Sequence, residues 1–281
     1  MKIRHSLLYV LTALLAFSCS DDNEPAPDDI IVVEGWIENG DFPIVMLTRS
    51  LPIDDEYRSI DEVSQLMEQW AKVTISDGER EEVMVGRYDK EFFPPYMYTT
   101  SRMRGESGKT YRIHVSCTDG SEASATATIP PPATIDSICT ERVAGNDTLR
   151  QVYAYVADDR SEERYYKVFV HVMNRDKWFL SAYLGVTSSS MMDADGRIAV
   201  NNGRRNLEKD FTPYFAVGDT LVVKVVRIDR EAYELWRRFE DITMLSRNPI
   251  FPTTDNLPSN MDGALGFWFG YGTDKRIIVI E

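Results

Sequence analysis

The stretch IIVVEGWIENGDFPIVML, residues 30–47, carries the first decisive signal. An apolar run, Ile30 to Val33, leads through Gly35-Trp36-Ile37 into Asn39-Gly40, and a second apolar run, Ile44 to Leu47, follows. Asn and Gly accept the positive φ that a tight turn needs, so Asn-Gly between apolar runs predicts a β-hairpin. Working outward, further short strands read at Val73–Ile75, Val83–Val85, Tyr111–Cys117 and Ala123–Ile129. Asp77-Gly78, Gly108 and Asp119-Gly120 mark turns beside them. Several short strands with turn signals and no βα alternation predict an all-β sandwich over residues 30–129. One helix is expected as an insertion. Ser59-Ile60-Asp61-Glu62 has the form of a capping box, and Ile60, Val63, Met67 and Trp70 follow at helical spacing.

Pro130-Pro131-Pro132 cannot sit inside a hydrogen-bonded ladder, so residues 130–133 are expected to be a stiff linker. Residues 134–281 then form a second β-rich domain, with strands near Val152–Val156, Tyr166–Val172, Trp178–Leu184 and Leu221–Ile228. The unbroken apolar character of Leu221-Val222-Val223 and Val225-Val226 predicts a strand covered on both faces. One amphipathic helix is expected at 230–246. Asp229 is its cap, and Ala232, Leu235, Trp236, Phe239, Ile242 and Leu245 form its apolar stripe. Asn248-Pro249 ends it, an extended segment follows, and a last strand runs from Arg276 to Ile280.

The N-terminus sets the compartment. Lys2 and Arg4 precede an apolar run from Leu7 to Phe17, broken only by Thr12 and closed by Ser18-Cys19. The run is too short to span a bilayer, which takes roughly 20 apolar residues. It fits a signal peptide over 1–18, and a cysteine directly after the small residue is the lipoprotein variant. Cys19 is therefore the expected lipidation site, and several acyl chains give lasting membrane attachment. Residues 19–29, CSDDNEPAPDD, are acidic and proline-containing and are expected to be a solvated tether. This tether also resembles the export signal of Bacteroidota surface lipoproteins, which implies the outer face of the outer membrane; the other reading is a tether without an address, facing the periplasm.

The formal net charge is −14, and loss of Lys2 and Arg4 with the signal peptide takes it to −16. So acidic a chain is repelled by nucleic acid and by anionic headgroups, and it has no basic stripe. With Cys19 lipidated, Cys117 and Cys139 remain. Two readings stand: a disulfide between them, or two separate buried thiols. Neither a metal site nor a cofactor is expected, because no further Cys or well-placed His completes a set and there is no phosphate loop or dinucleotide fingerprint.

No catalytic constellation is expected either. His114 and His171 lie within strands with no nucleophile signature around them, and there is no Gly-x-Ser-x-Gly elbow. Asp193-Ala194-Asp195-Gly196 reads as a turn, because the later ligands of a calcium loop are absent. Carboxylates such as Asp54-Asp55-Glu56 and Asp158-Asp159 are plentiful, but abundance does not single out a glycosidase pair. Of Trp36, Tyr96, Tyr98, Trp178, Tyr183, Tyr214, Trp268 and Tyr271, most are expected in the core, and the rest offer flat faces to a sugar or peptide. The candidate binding segment is Asn248 to Tyr271, with Asn248, Pro249, Phe251, Asn256, Asn260, Trp268 and Tyr271 as its residues, since irregular segments on rigid scaffolds often carry binding. The competing reading is that Phe251, Leu257 and Leu265 seal the second domain.

Four segments taken in order, VVEGWIENGDFPIVMLTRSLP (32–52), GESGKTY (105–111), ATIDSI (133–138) and NPIFPTTDNLPSNMDGALGFWFGY (248–271), resemble domain-of-unknown-function family 4249, a family of Bacteroidota lipoproteins. Asn260-Met261-Asp262-Gly263 stands where that family has an Asn-Ile-Gly-Gly-like turn. The resemblance implies an N-terminal immunoglobulin- or transthyretin-like sandwich, a second β-rich domain, and a TonB-dependent outer-membrane barrel as partner. It carries over no catalytic residue. The expected function is a surface-exposed binding or assembly module in nutrient uptake, taking a glycan or a peptide. The alternatives are a structural or adhesive envelope protein and, behind it, a carboxylate-dependent glycoside hydrolase.

Overall fold

The computed structural model of the chain describes residues 30–50, 66–89, 94–157, 161–203, 211–245 and 257–281. The signal peptide, the tether, the capping box at Ser59, and Asn248, Pro249, Phe251 and Asn256 lie outside these residues. So do Asp54-Asp55-Glu56 and Asp158-Asp159. The described part is all-β with one helix.

The first half holds β1 (Ile31–Glu38), β2 (Ile44–Arg49), β3 (Lys72–Ser76), β4 (Glu81–Tyr88), β5 (Tyr96–Thr99), β6 (Thr110–Ser116) and β7 (Glu122–Thr128). The expected hairpin is there. β1 and β2 pair antiparallel with Trp36 opposite Ile44, and Gly40 takes φ 80°. Alternate residues Val33 and Ile37 of β1, Val45 and Leu47 of β2, and Ile113 and Val115 of β6 are buried in one core. The end of the expected inserted helix is not helical. Met67 makes a β-bridge to Thr48, and Trp70 is 80% exposed. At Met67 and Trp70, therefore, the helical spacing marks no buried helix face.

The second half holds β8 (Thr134–Val143), β9 (Asn146–Ala157), β10 (Tyr165–Val172), β11 (Leu180–Ser188), β12 (Arg197–Val200), β13 (Phe215–Ala216), β14 (Thr220–Ile228), α1 (Arg230–Leu245) and β15 (Leu265–Val279). β12 and β13 flank β9, and β8 also pairs with it. A second core lies between this small sheet (Val152, Ala154, Val200) and β10 and β14 (Val168, Val170, Val223, Val225). The Asp193–Gly196 stretch is a turn, closed by the Gly196 N–H donating to the Asp193 carbonyl at 2.9 Å.

The two halves share one sheet. Its order is β11-β10-β14-β15-β1-β2-β5-β4-β3-β6-β7. β15 makes the join: residues 265–271 run parallel to β1, and residues 272–279 run antiparallel to β14. The proline linker therefore separates the halves along the chain but not in the sheet. Glycines make the crossing feasible. A Cβ at Gly270 would meet the Thr128 carbonyl, and one at Gly272 the carbonyls of Pro130 and Pro131. The linker can lie directly on β15 because nothing projects there.

The expected strand at 276–280 is thus the end of a 15-residue strand that starts at Leu265. Gly266, at φ 103°, sits where any Cβ would strike the Val33 carbonyl. Close backbone approach at the glycines, not irregularity, explains the glycine-rich sequence.

Candidate functional site

The central strands have two faces, and the second one carries the site. On β1, Val33 and Ile37 point into the first core while Glu34, Trp36 and Glu38 point the other way. The same alternation puts Ile44 and Met46 of β2, Phe267 and Tyr271 of β15, Lys224 of β14 and Phe169 of β10 on this opposite face. They form the floor of an open cleft of about 490 Å³. Trp236 of α1 walls one side, and Trp178 and Phe179, in the turn before β11, wall the other.

α1 reaches its place through ordinary helix rules. Asp229 caps it, its Oδ1 accepting the Ala232 N–H at 2.8 Å. Ala232 and Leu235 bury against Val226, Ile228 and Phe269, with Trp236 packed on the same cluster. Trp236 is then fixed twice. Its Nε1 donates to the Tyr271 hydroxyl at 3.2 Å, and its ring meets Phe267 edge-on with centroids 5.5 Å apart. Burial pushes the Tyr271 phenol well above its usual range, so it stays a neutral hydroxyl.

Charges are buried in this floor. Lys224, 6% exposed, donates to Glu38 Oε1 at 3.1 Å, and Glu38 is 5% exposed. Lys275 Nζ lies 3.7 Å from Glu38 Oε2. Burial alone would raise the Glu38 carboxyl, but the two ammonium groups outweigh it and hold it below the usual range. Burial lowers Lys224, with Glu38 opposing. The Lys224 ammonium also lies 4.9 Å from the Phe169 ring centroid and 4.8 Å from that of Phe179, so aromatic faces replace part of its lost water.

One strand over, Lys167 is fully buried, donates to Ser181 Oγ at 2.8 Å and stands 4.1 Å over the Trp236 ring. Desolvation lowers its pKa, while Glu240 of α1 opposes the fall. Burial in turn raises Glu240, whose Oε1 accepts the Val186 N–H at 3.2 Å.

Glu34 differs from these groups. It is exposed to water within the concavity, yet protein crowds around it, and that desolvation raises its carboxyl. No ion pair or hydrogen bond engages it among the described residues.

The family model described as "Domain of unknown function (DUF4249)" matches residues 19–277. The chain belongs to the DUF4249 family. No curated protein matches it.

Several residues of this DUF4249 chain do not behave as the candidate segment suggested. Trp268 is fully buried in the first core, and its Nε1 donates to the Tyr111 carbonyl at 3.0 Å. Asn260 clamps the same residue's backbone. Its Oδ1 accepts the Trp268 N–H and its Nδ2 donates to the Trp268 carbonyl, both at 2.9 Å. These two are structural, because β15 needs its partnerless backbone groups satisfied at the point where it enters the sheet. Of the three named candidates that are described, Asn260, Trp268 and Tyr271, only Tyr271 lines the cleft, beside Phe267 of the same strand. Leu257 and Leu265 are exposed and seal nothing.

Cys117 and Cys139 are free thiols, which corrects the disulfide reading. Cys117 is buried in the first core, which pushes its thiol up to about 11. Cys139 lies on β8 in the second half, with Sγ 3.9 Å from the Tyr155 hydroxyl. His171 bonds to the Asp176 carbonyl at 2.9 Å, and His114 is 3.8 Å from Glu122. Among the described residues no group of acidic, His or Cys side chains is placed to hold a metal, and no helix is long and apolar enough to cross a membrane.

Sequence reading missed Lys167 and Lys224. The signal was available: each is a lone lysine inside an apolar β-run, YYKVFV and LVVKVV. A cation in a strand covered on both faces needs a buried partner.

Proposed function

We propose that this chain is a lipid-anchored, non-catalytic binding module, displayed on the outer face of the outer membrane, that holds a ligand in the aromatic cleft and works with a TonB-dependent barrel in nutrient uptake. The observation that carries the reading is the cleft itself. It is a concavity of about 490 Å³ with three tryptophans and two lysines on its lining, built on a rigid sheet and helix. Pockets of this size, mostly apolar with a few placed charges, are where small ligands bind.

Non-catalytic binding is favoured over hydrolysis by what lines the cleft. Glu38 is tied to Lys224, and among the described lining residues there is no histidine, serine, threonine or cysteine to act with the remaining carboxylates. The lipid anchor is supported by the apolar run ending in Ser18-Cys19 and by a family match that itself begins at Cys19. The barrel partner is an analogy with surface lipoproteins that capture nutrients.

The test is purification of the tagged lipoprotein at native level in mild detergent, with co-purifying proteins identified by mass spectrometry. A stoichiometric TonB-dependent barrel is the expected result. Recovery of the lipoprotein alone, at good yield and with its lipid intact, would remove the transport role.

A further inference from the structure

The two ends of the cleft carry opposite charges, a carboxylate with no partner among the described residues and an exposed ammonium held by one long ion pair. At one end the Glu34 carboxylate makes no hydrogen bond and no ion pair among the described residues. At the other, Lys275 Nζ makes no hydrogen bond there. It lies 3.7 Å from Glu38 Oε2, on a carboxylate that already accepts from Lys224, and the Lys224 ammonium is a second charged neighbour. Asp41 shares that end, with its Oδ1 taken by the Phe42 N–H at 2.8 Å.

Glu34 and Glu38 are four residues apart on β1, on one face, which is about 13 Å at the rise of a strand. Lys275 Nζ sits beside Glu38, so the Glu34 carboxylate and the Lys275 ammonium are separated by about that distance. Three or four residues of extended peptide span it, at about 3.3–3.6 Å each.

The lining between the ends matches such a ligand better than a sugar. Ile44 and Met46 present neither a flat face nor a hydrogen-bonding group, and Trp36, Phe169 and Phe267 add ring surface. The Tyr271 hydroxyl, the one neutral hydroxyl among the described lining residues, is already bonded to Trp236. A neutral sugar needs many hydrogen bonds to orient it, and among the described lining residues the neutral side-chain groups besides Tyr271 are indole N–H donors, with no amide and no second hydroxyl to accept. An ampholyte with an apolar middle needs two charges and apolar walls.

We infer that the ligand of the cleft is a short, extended peptide of three or four residues with apolar side chains, its free amino group on Glu34 and its free carboxylate on Lys275. This rests on the reading of the cleft as a binding site and names the chemical class it takes.

The experiment is calorimetric titration of the whole mature lipoprotein in detergent with four probes. These are a tetrapeptide of alanine, phenylalanine, leucine and alanine with free ends, its N-acetylated form, its C-amidated form, and cellotetraose. The expected result is binding of the free peptide, with each end-block weakening it about tenfold or more, the size of losing one hydrogen bond to a charged group. Glu34→Gln should abolish the discrimination against the acetylated peptide alone, and Lys275→Met that against the amide alone. Both positions are at least partly exposed, so these variants keep the fold. Three peptides binding within twofold of one another, or cellotetraose binding alone, would overturn the peptide inference and leave the cleft as a binding site. No binding by any probe would overturn both.

Discussion

β10 and β14 bury both of their faces, and the two faces do it differently. Toward the second core they present Val168, Val170, Val223 and Val225, all fully buried among aliphatic neighbours. Toward the cleft they present Lys167, Phe169 and Lys224, with the lysines as inaccessible as the valines or nearly so. The dry face needs only matching volume. The charged face holds together only while each ammonium keeps its partners: Glu38 for Lys224, Ser181 and the Trp236 ring for Lys167. Glu38 comes from the first half of the chain and Lys224 from the second, so this ion pair also links the two halves. A buried pair is weak evidence for stability, because desolvation offsets the attraction, but a broken one is costly.

That contrast can be broken most sharply at Glu38. Glu38→Ala leaves Lys224 buried without its carboxylate, and the expected loss of unfolding free energy is about 3–5 kcal/mol by chemical denaturation. The paired change Glu38→Leu with Lys224→Met should restore most of that loss, and a double variant no better than the single one would show that the charges are not each other's partners. On the dry face, Val223→Ala should cost about 2 kcal/mol, from two buried methyl groups and the space they leave.

Acid provides a version of the first test without mutation. The folded-state pKa of Glu38 is lowered, so its contribution is fully present above the unfolded carboxylate value of 4.5 and is lost as pH falls through the lower folded value. Stability measured from pH 6 downward should therefore fall below about pH 4.5 in the wild type, and less steeply in Glu38→Gln. A smaller effect is expected at the helix that walls the cleft. Asp229→Ala removes the cap and should cost about 1 kcal/mol. The smallest concerns the thiols. With Cys117 and Cys139 free, a reducing agent should leave the melting temperature unchanged, and a fall would mean a bond between them.

How much of this was legible in the chain varies with the physics of each element. The hairpin at Asn39-Gly40 and the helix after Asp229 were readable because a turn and a cap are local: a few consecutive residues fix the backbone. β15 was half readable. Its end looks like a strand, while its start, LGFWFGYG, looks irregular because its glycines serve contacts with Val33, Thr128 and the prolines, far away in sequence. The same stretch misled the search for a site. Trp268 and Asn260, named in the candidate segment, proved to be a core side chain and the clamp on its backbone. Tyr271, three residues on, falls on the other face and lines the cleft. A one-residue change in strand parity separates a core residue from a site residue, and parity through a glycine-rich stretch is not visible without the sheet.

By itself the sequence determined the all-β class, the helix after Asp229, the order of most strands, the family, and the acidic character of the chain. These follow from periodicity, turn chemistry and composition, all of which act over short stretches. The tertiary structure alone decided that the two halves share one sheet through β15, that the thiols stay apart, and that an aromatic cleft with Glu34 at one end and Lys275 at the other lies on that sheet. Each of these depends on which distant strands lie side by side, and long-range pairing is set by how the whole chain buries its apolar surface.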